Sequence, residues 1–179
     1  MSLNLLFDGV SLILRSGGAQ YSWPARSGKS EQGNFKYDTA QQKRKNYGPI
    51  PEGLYYVIPD EYWERDILTD AYSAIQGMPW TAPLDLELDY DEAAAMQGEV
   101  QRHRQAWGNE RLSIHAEKST KTHGRDGFFI HGGTDWGSIG CIDLTSHMPA
   151  FGKTFRKVAA GKKKVPLRVQ YAKASAGTP

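Results

Sequence analysis

Phe128-Phe129-Ile130-His131-Gly132-Gly133-Thr134-Asp135-Trp136-Gly137-Ser138-Ile139-Gly140-Cys141-Ile142-Asp143-Leu144 places an imidazole ten positions ahead of the chain's one cysteine. The apolar run from Phe128 to Ile130 reads as a strand that delivers His131 into an open loop. Four glycines, at 132, 133, 137 and 140, then leave the backbone free to bring histidine and cysteine together and to expose amide N–H groups beside them. A lone thiol forms no internal disulfide, and a packed structural cysteine has no need of four nearby glycines. A free thiol, with a pKa near ~8.5, is only slightly ionised at neutral pH, so an adjacent imidazole that takes its proton creates the attacking sulfur. The segment therefore reads as a cysteine nucleophile, Cys141, with His131 as its base.

Working outward, 179 residues suffice for one domain with a real core, and a single domain over 1–179 is expected. Nineteen glycines, nine prolines, five Trp, nine Tyr and six Phe indicate short strands joined by turns, an α+β chain that is predominantly β. Leu3 to Phe7 and Ser11 to Leu14 flank Asp8-Gly9 as a hairpin. Residues 16–48 have few apolar anchors and read as a long functional or mobile loop. Pro49-Ile50-Pro51-Glu52-Gly53 is a turn into the strand Leu54 to Ile58, and further strands are expected at 111–115, 127–131 and 165–171. Two helices are expected: one over 91–106, capped by Asp89 or Asp91, and one capped by Ser146 that runs to Ala160, with Gly161 as its terminator. Residues 174–179 read as a frayed, disordered tail.

A net charge of +2 gives no case for nucleic acid, and the basic runs at 43–45 and 162–164 lack interleaved aromatic residues. No stretch approaches the ~18 apolar residues of a membrane span, so no membrane insertion is expected. The first ten residues lack a basic leader and an apolar core, so the chain reads as made in the cytoplasm without a signal peptide. No cofactor is indicated. His115, His123 and His131 recur at eight-residue intervals, but paired ligands two to four residues apart are missing, so no metal is expected. His103 and His147 fall in the expected helices and His123 in a polar loop. His115 competes with His131 as base, and His131 is preferred because two glycines follow it.

At this point the residues resemble the YkuD-type L,D-transpeptidases, cysteine enzymes of peptidoglycan metabolism. Their signature is His-Gly, then Ser/Thr-x-Gly-Cys, an apolar residue and often arginine. His131-Gly132 and Ser138-Ile139-Gly140-Cys141-Ile142 match it, and Tyr47 to Tyr55 is similar to the Pro-x-Gly turn before an early core strand. The short His-to-Cys spacing, the Gly124 to Gly133 approach and the absence of a leader resemble the type VI secretion effectors of this family, toxins delivered to the periplasm of rival bacteria. Two departures stand out: Ile139 where many members have histidine, and Asp143 where many have arginine.

The resemblance implies an L,D-transpeptidase-like β-sandwich or barrel with two or so peripheral helices. It implies Cys141 as nucleophile, His131 as base and the Gly132 carbonyl as the group that orients the imidazole. The N–H groups around Gly140 and Cys141 become the oxyanion site, and Ser138 a brace or substrate contact. Arg125 is the candidate replacement for the missing cation at the substrate, while Trp23, Tyr37, Tyr47 and Trp136 either wall the cleft or pack in the core. The substrates implied are peptidoglycan stem tetrapeptides, processed by L,D-carboxypeptidase and D-amino-acid exchange through a Cys thioester, and a cognate immunity protein is implied as partner. A papain-like cysteine amidase or endopeptidase is the alternative enzyme, although those place cysteine ahead of histidine. A catalytically idle peptidoglycan-binding module is the non-enzymatic alternative.

Overall fold

Alternation along the first two strands decides which side of the sheet becomes interior. Leu5 and Phe7 of β1 (Asn4–Phe7) and Leu12 and Leu14 of β2 (Ser11–Ser16) are buried, with less buried residues between them. The Asp8 carboxylate closes the hairpin by accepting from the N–H groups of Val10 and Ser11 at 2.9 and 2.7 Å. A computed structural model describes residues 2–64 and 106–171. The further strands in those residues are β3 (Ala19–Pro24), β4 (Arg26–Ser27), β5 (Gly53–Val57), β6 (Tyr62–Glu64), β7 (Glu110–Ala116), β8 (Phe128–His131), β9 (Ile142–Asp143) and β10 (Val165–Val169).

They join in one sheet of order β3-β2-β1-β10-β5-β7-β8-β9-β4, with β6 also on β7. The pairs β1/β10 and β8/β9 are parallel and the others antiparallel. The two end strands of that order, β3 and β4, are separated in the chain by Ala25 alone, so the sheet bends round to a nearly closed barrel. Closure of this kind leaves little free edge. Inside lie Leu5, Phe7, Tyr55, Leu112, Ile130 and Ile142, all almost wholly buried. The protein is mostly β, and among the described residues it carries the short helix α1 (Thr39–Gln42) and the longer α2 (Met148–Val158), in line with the α+β reading. The amphipathic α2 buries Phe151 and Phe155, and Trp23 meets Phe151 edge-on at 5.3 Å.

Two expectations need correcting. Residues 16–48 are not one irregular loop, since they contain β3, β4 and α1. β3 escaped because it pairs with β2 while only Trp23 of its side chains is buried, which erases the apolar alternation that marks a strand. Ser146 does not cap α2: it is exposed in a 3-10 turn, Thr145–His147, and the helix starts at Met148 with Pro149 in its first turn. Proline suits that place, because its fixed φ is helical and no N–H is needed there. The expected helix over 91–106, except for Ala106, and the tail 174–179 lie outside the described residues, as does His103. No described helix is long and apolar enough to cross a membrane.

Candidate active site

β8 and β9 carry two unlike faces. Ile130 is in register with Ile142 and His131 with Asp143, so Phe128, Ile130 and Ile142 enter the core while Phe129, His131 and Asp143 share the opposite side. Cys141 directly precedes β9, and carrying that register back by one residue sets it beside Phe129 on the parity of His131, with its thiol against the Gly127 and Phe129 backbone. The row continues outward: Arg111 of β7 pairs with His131, Trp63 of β6 with Arg111, and Arg26 of β4 with Asp143. The imidazole thus stands between a strand bearing a cation and a strand bearing a carboxyl group.

His131 Nδ1 lies 2.5 Å from the carbonyl oxygen of Gly132. A carbonyl only accepts, so Nδ1 carries the proton and Nε2 keeps the lone pair that can receive another. The Trp107 ring lies 4.8 Å from the imidazole and 5.9 Å from Phe129, and His131 is only 2% exposed. Burial lowers its pKa to about 4, against the pull of the Gly132 carbonyl toward the charged form. Burial likewise pushes the Cys141 thiol up to about 12, with Asp143 adding to the rise while a Phe129 backbone bond and the charges of Arg125 and Arg111 oppose it. Sγ rests 4.0 Å from the Gly127 carbonyl. At neutral pH the resting pair is therefore a neutral thiol and a neutral imidazole, and charge appears only when a proton moves.

The loop between them is tied down at several points. Asp143 is fully buried and accepts from Gly137 N at 3.0 Å and Thr145 N at 2.8 Å. Burial nevertheless raises its pKa to about 7. Ser138 exchanges backbone and side-chain bonds with Gly28, and its hydroxyl donates to the Cys141 carbonyl at 2.6 Å. Its hydroxyl is thus a brace within the loop. Gly108, at φ +65°, packs so closely on the Gly132–Gly133 backbone that a Cβ would clash with it.

Arg125 is brought to the same place but turned to the scaffold. Its guanidinium donates to the carbonyls of Gln42, Gly48, Pro49 and Ile139, and the residue is 9% exposed. Trp136 is exposed at the lip of the loop beside Arg26, whose guanidinium lies 5.7 Å from the ring. Of the other aromatic candidates, Trp23 belongs to the core, Tyr37 stacks on Tyr171 at 4.4 Å, and Tyr47 lies under Arg44 at 3.8 Å. His115 is engaged elsewhere, 2.6 Å from Glu61 Oε2 and stacked on Tyr56. Among the described residues, no cluster of His, Cys, Asp and Glu is placed to hold a metal ion.

Sequence reasoning missed Trp107, which covers the imidazole, and the bracing role of Asp143. The available signal for the first was Trp107-Gly108 directly before a strand. For Asp143 it was a carboxylate two residues beyond the thiol, inside an apolar run. The family model for the L,D-transpeptidase catalytic domain, YkuD, matches residues 9–166. No curated protein matches the chain.

Proposed function

The chain belongs to the YkuD family of L,D-transpeptidase catalytic domains and is a peptidoglycan-acting cysteine enzyme, and on that premise we propose that it is an L,D-carboxypeptidase with D-amino-acid exchange activity on stem tetrapeptides. What supports this reading most is the imidazole fixed by the Gly132 carbonyl, with Nε2 left basic, on the strand beside the one that follows Cys141. In this reading Cys141 is the nucleophile, His131 the base and Gly132 the orienting group.

The proton on Sγ passes to Nε2 as the sulfur attacks the carbonyl of the L-centre at the third stem position. Moving together, proton and sulfur avoid a free thiolate in a buried site that strongly disfavours one. The oxyanion formed is received by the N–H groups at Gly140 and Cys141, each such donor being worth about 3 kcal/mol in acyl transfer. Collapse breaks the bond to terminal D-alanine, whose nitrogen takes the proton back from the imidazolium, and a thioester remains. Water then releases a tripeptide, or the amine of a free D-amino acid takes its place. Cross-linking to another stem is a lesser outcome. Trp136 and Ser138 flank the substrate path in this reading.

Delivery as an antibacterial effector through type VI secretion, with the periplasm of a rival as destination and a cognate immunity protein as partner, belongs to the same proposal. The short spacing between His131 and Cys141 and the Gly124 to Gly133 approach support it. The whole chain then acts as one catalytic domain. Purified tetrapeptide muropeptides incubated with wild type and Cys141→Ala, and weighed by mass spectrometry, test the activity. Loss of one alanine with the wild type alone is the expected result. Cleavage elsewhere in the stem assigns the enzyme to the amidases or endopeptidases instead.

A further inference from the structure

Arg125 is a buried guanidinium whose hydrogen bonds run to carbonyl dipoles, with no carboxylate among its partners in the described residues. A cation taken from water without a counter-charge is costly, and its presence calls for a reason. Three of the carbonyls, those of Gln42, Gly48 and Pro49, belong to the segment entering β5, and the fourth, that of Ile139, lies two residues before Cys141. The guanidinium also lies so close to Gly140 that any Cβ there would collide with it and with the Phe128 ring. Gly140 has φ +108°, so both its conformation and this contact require glycine. The ionisable groups that act on Arg125 are Tyr171, Tyr55 and Cys141. Burial holds both phenols in the neutral form. Of the three, Cys141 is the one that the reaction asks to become negative.

We propose that Arg125 is a positioning residue for the nucleophile: it fixes the peptide in front of Cys141 against the segment 42–49 and presents its charge to the sulfur as the thiol ionises. The proposal rests on Cys141 being the nucleophile. Arg125 takes no proton and touches no substrate. It acts through the backbone that aims Sγ and through the field at that atom, in the same sense as Arg111 and opposed by Asp143. Lysine retains the charge but lacks the planar fork that reaches four carbonyls at once.

Because Cys141 is the chain's one cysteine, alkylation reports on it alone. The rate of iodoacetamide labelling at pH 8, far below the thiol's pKa, is compared in wild type, Arg125→Gln and Arg125→Lys, with circular dichroism as the check on folding. The rate is expected to fall about tenfold or more in Arg125→Gln and to stay within about threefold in Arg125→Lys. Turnover of tetrapeptide falls in both through kcat, with KM little changed. A folded Arg125→Gln with the wild-type labelling rate overturns the proposal. Should the glutamine variant not fold, the ratio of iodoacetate to iodoacetamide rates in Arg111→Gln, where Arg125 remains as the cation acting on the sulfur, decides the matter. A cation at the sulfur raises that ratio about threefold or more over a small free thiol such as N-acetylcysteine, and an equal or lower ratio overturns it. Tetrapeptide turnover that survives Cys141→Ala would overturn the underlying reading instead, a failure separate from an unchanged labelling rate.

Discussion

The two sides of the β8/β9 pair are built from alternate residues of the same strands and answer to different physics. Phe128, Ile130 and Ile142 face the core, where apolar area and close packing decide what fits. Phe129, His131, Cys141 and Asp143 lie on the other side, and the last three are as deeply buried as the core residues, yet they are polar or ionisable. One face stores stability. The other holds groups out of water where their charged forms are disfavoured, with the Cys141 thiol pushed up to about 12, the imidazole down to about 4 and the Asp143 carboxyl up to about 7. A buried polar face survives only because loops supply partners, and here Gly132, Gly137 and Thr145 provide them from the backbone. In the proposed mechanism, function is therefore carried largely by one parity of residue numbers along two short strands.

The contrast is broken most directly at the sulfur. Cys141→Ala should reduce turnover of tetrapeptide by about ten-thousand-fold or more, with the thermal midpoint little changed, as measured by product mass and by calorimetry. On the opposite face the effects should invert. Ile142→Ala, one residue further along, should cost about 2–5 kcal/mol in denaturant unfolding, while the folded fraction keeps its kcat. A large kcat loss in the folded Ile142→Ala protein would show that the two faces are not separable.

Asp143 sharpens the comparison through pH. Its folded pKa of about 7 lies above the ordinary value of 3.8, so the folded state holds this proton more tightly than the unfolded chain does. The stabilisation is complete below about pH 4 and is lost as pH rises toward 7. Wild type should thus fall in stability relative to Asp143→Asn by roughly 2–4 kcal/mol across that interval, read from urea unfolding at pH 4.5 and 8. A difference that does not vary with pH would refute the buried titration. The smallest effect is expected at the exposed lip. Trp136→Ala should alter stability by no more than about 0.5 kcal/mol while raising KM for tetrapeptide, which initial rates would detect.

The His131 to Cys141 motif was legible because chemistry needs those side chains at a glycine-loosened spacing, and composition alone marked the chain as β-rich. The first hairpin and the strands at β5, β7, β8 and β10 were legible from turn residues and from runs of apolar, aromatic and β-branched residues. β3, β4, β6 and β9 were not, being short or carrying mostly exposed or few side chains, so that no period could emerge from them. Arg125 was read as a cation at the substrate, and its burial against the scaffold was not legible, because the four carbonyls that receive its hydrogen bonds come from positions 42, 48, 49 and 139, scattered along the chain.

The amino-acid order by itself determined which residues can react and which faces of the longer strands must be buried, since both follow from side-chain chemistry and the twofold repeat of an extended backbone. The tertiary structure alone decided that His131 is flanked by Arg111 and Asp143, that Trp107 covers it, and that Arg125 ties the peptide before Cys141 to the segment 42–49. Those are relations between segments far apart in the chain, set by strand register and by the hydrogen bonds that loops must make, and no local pattern encodes them.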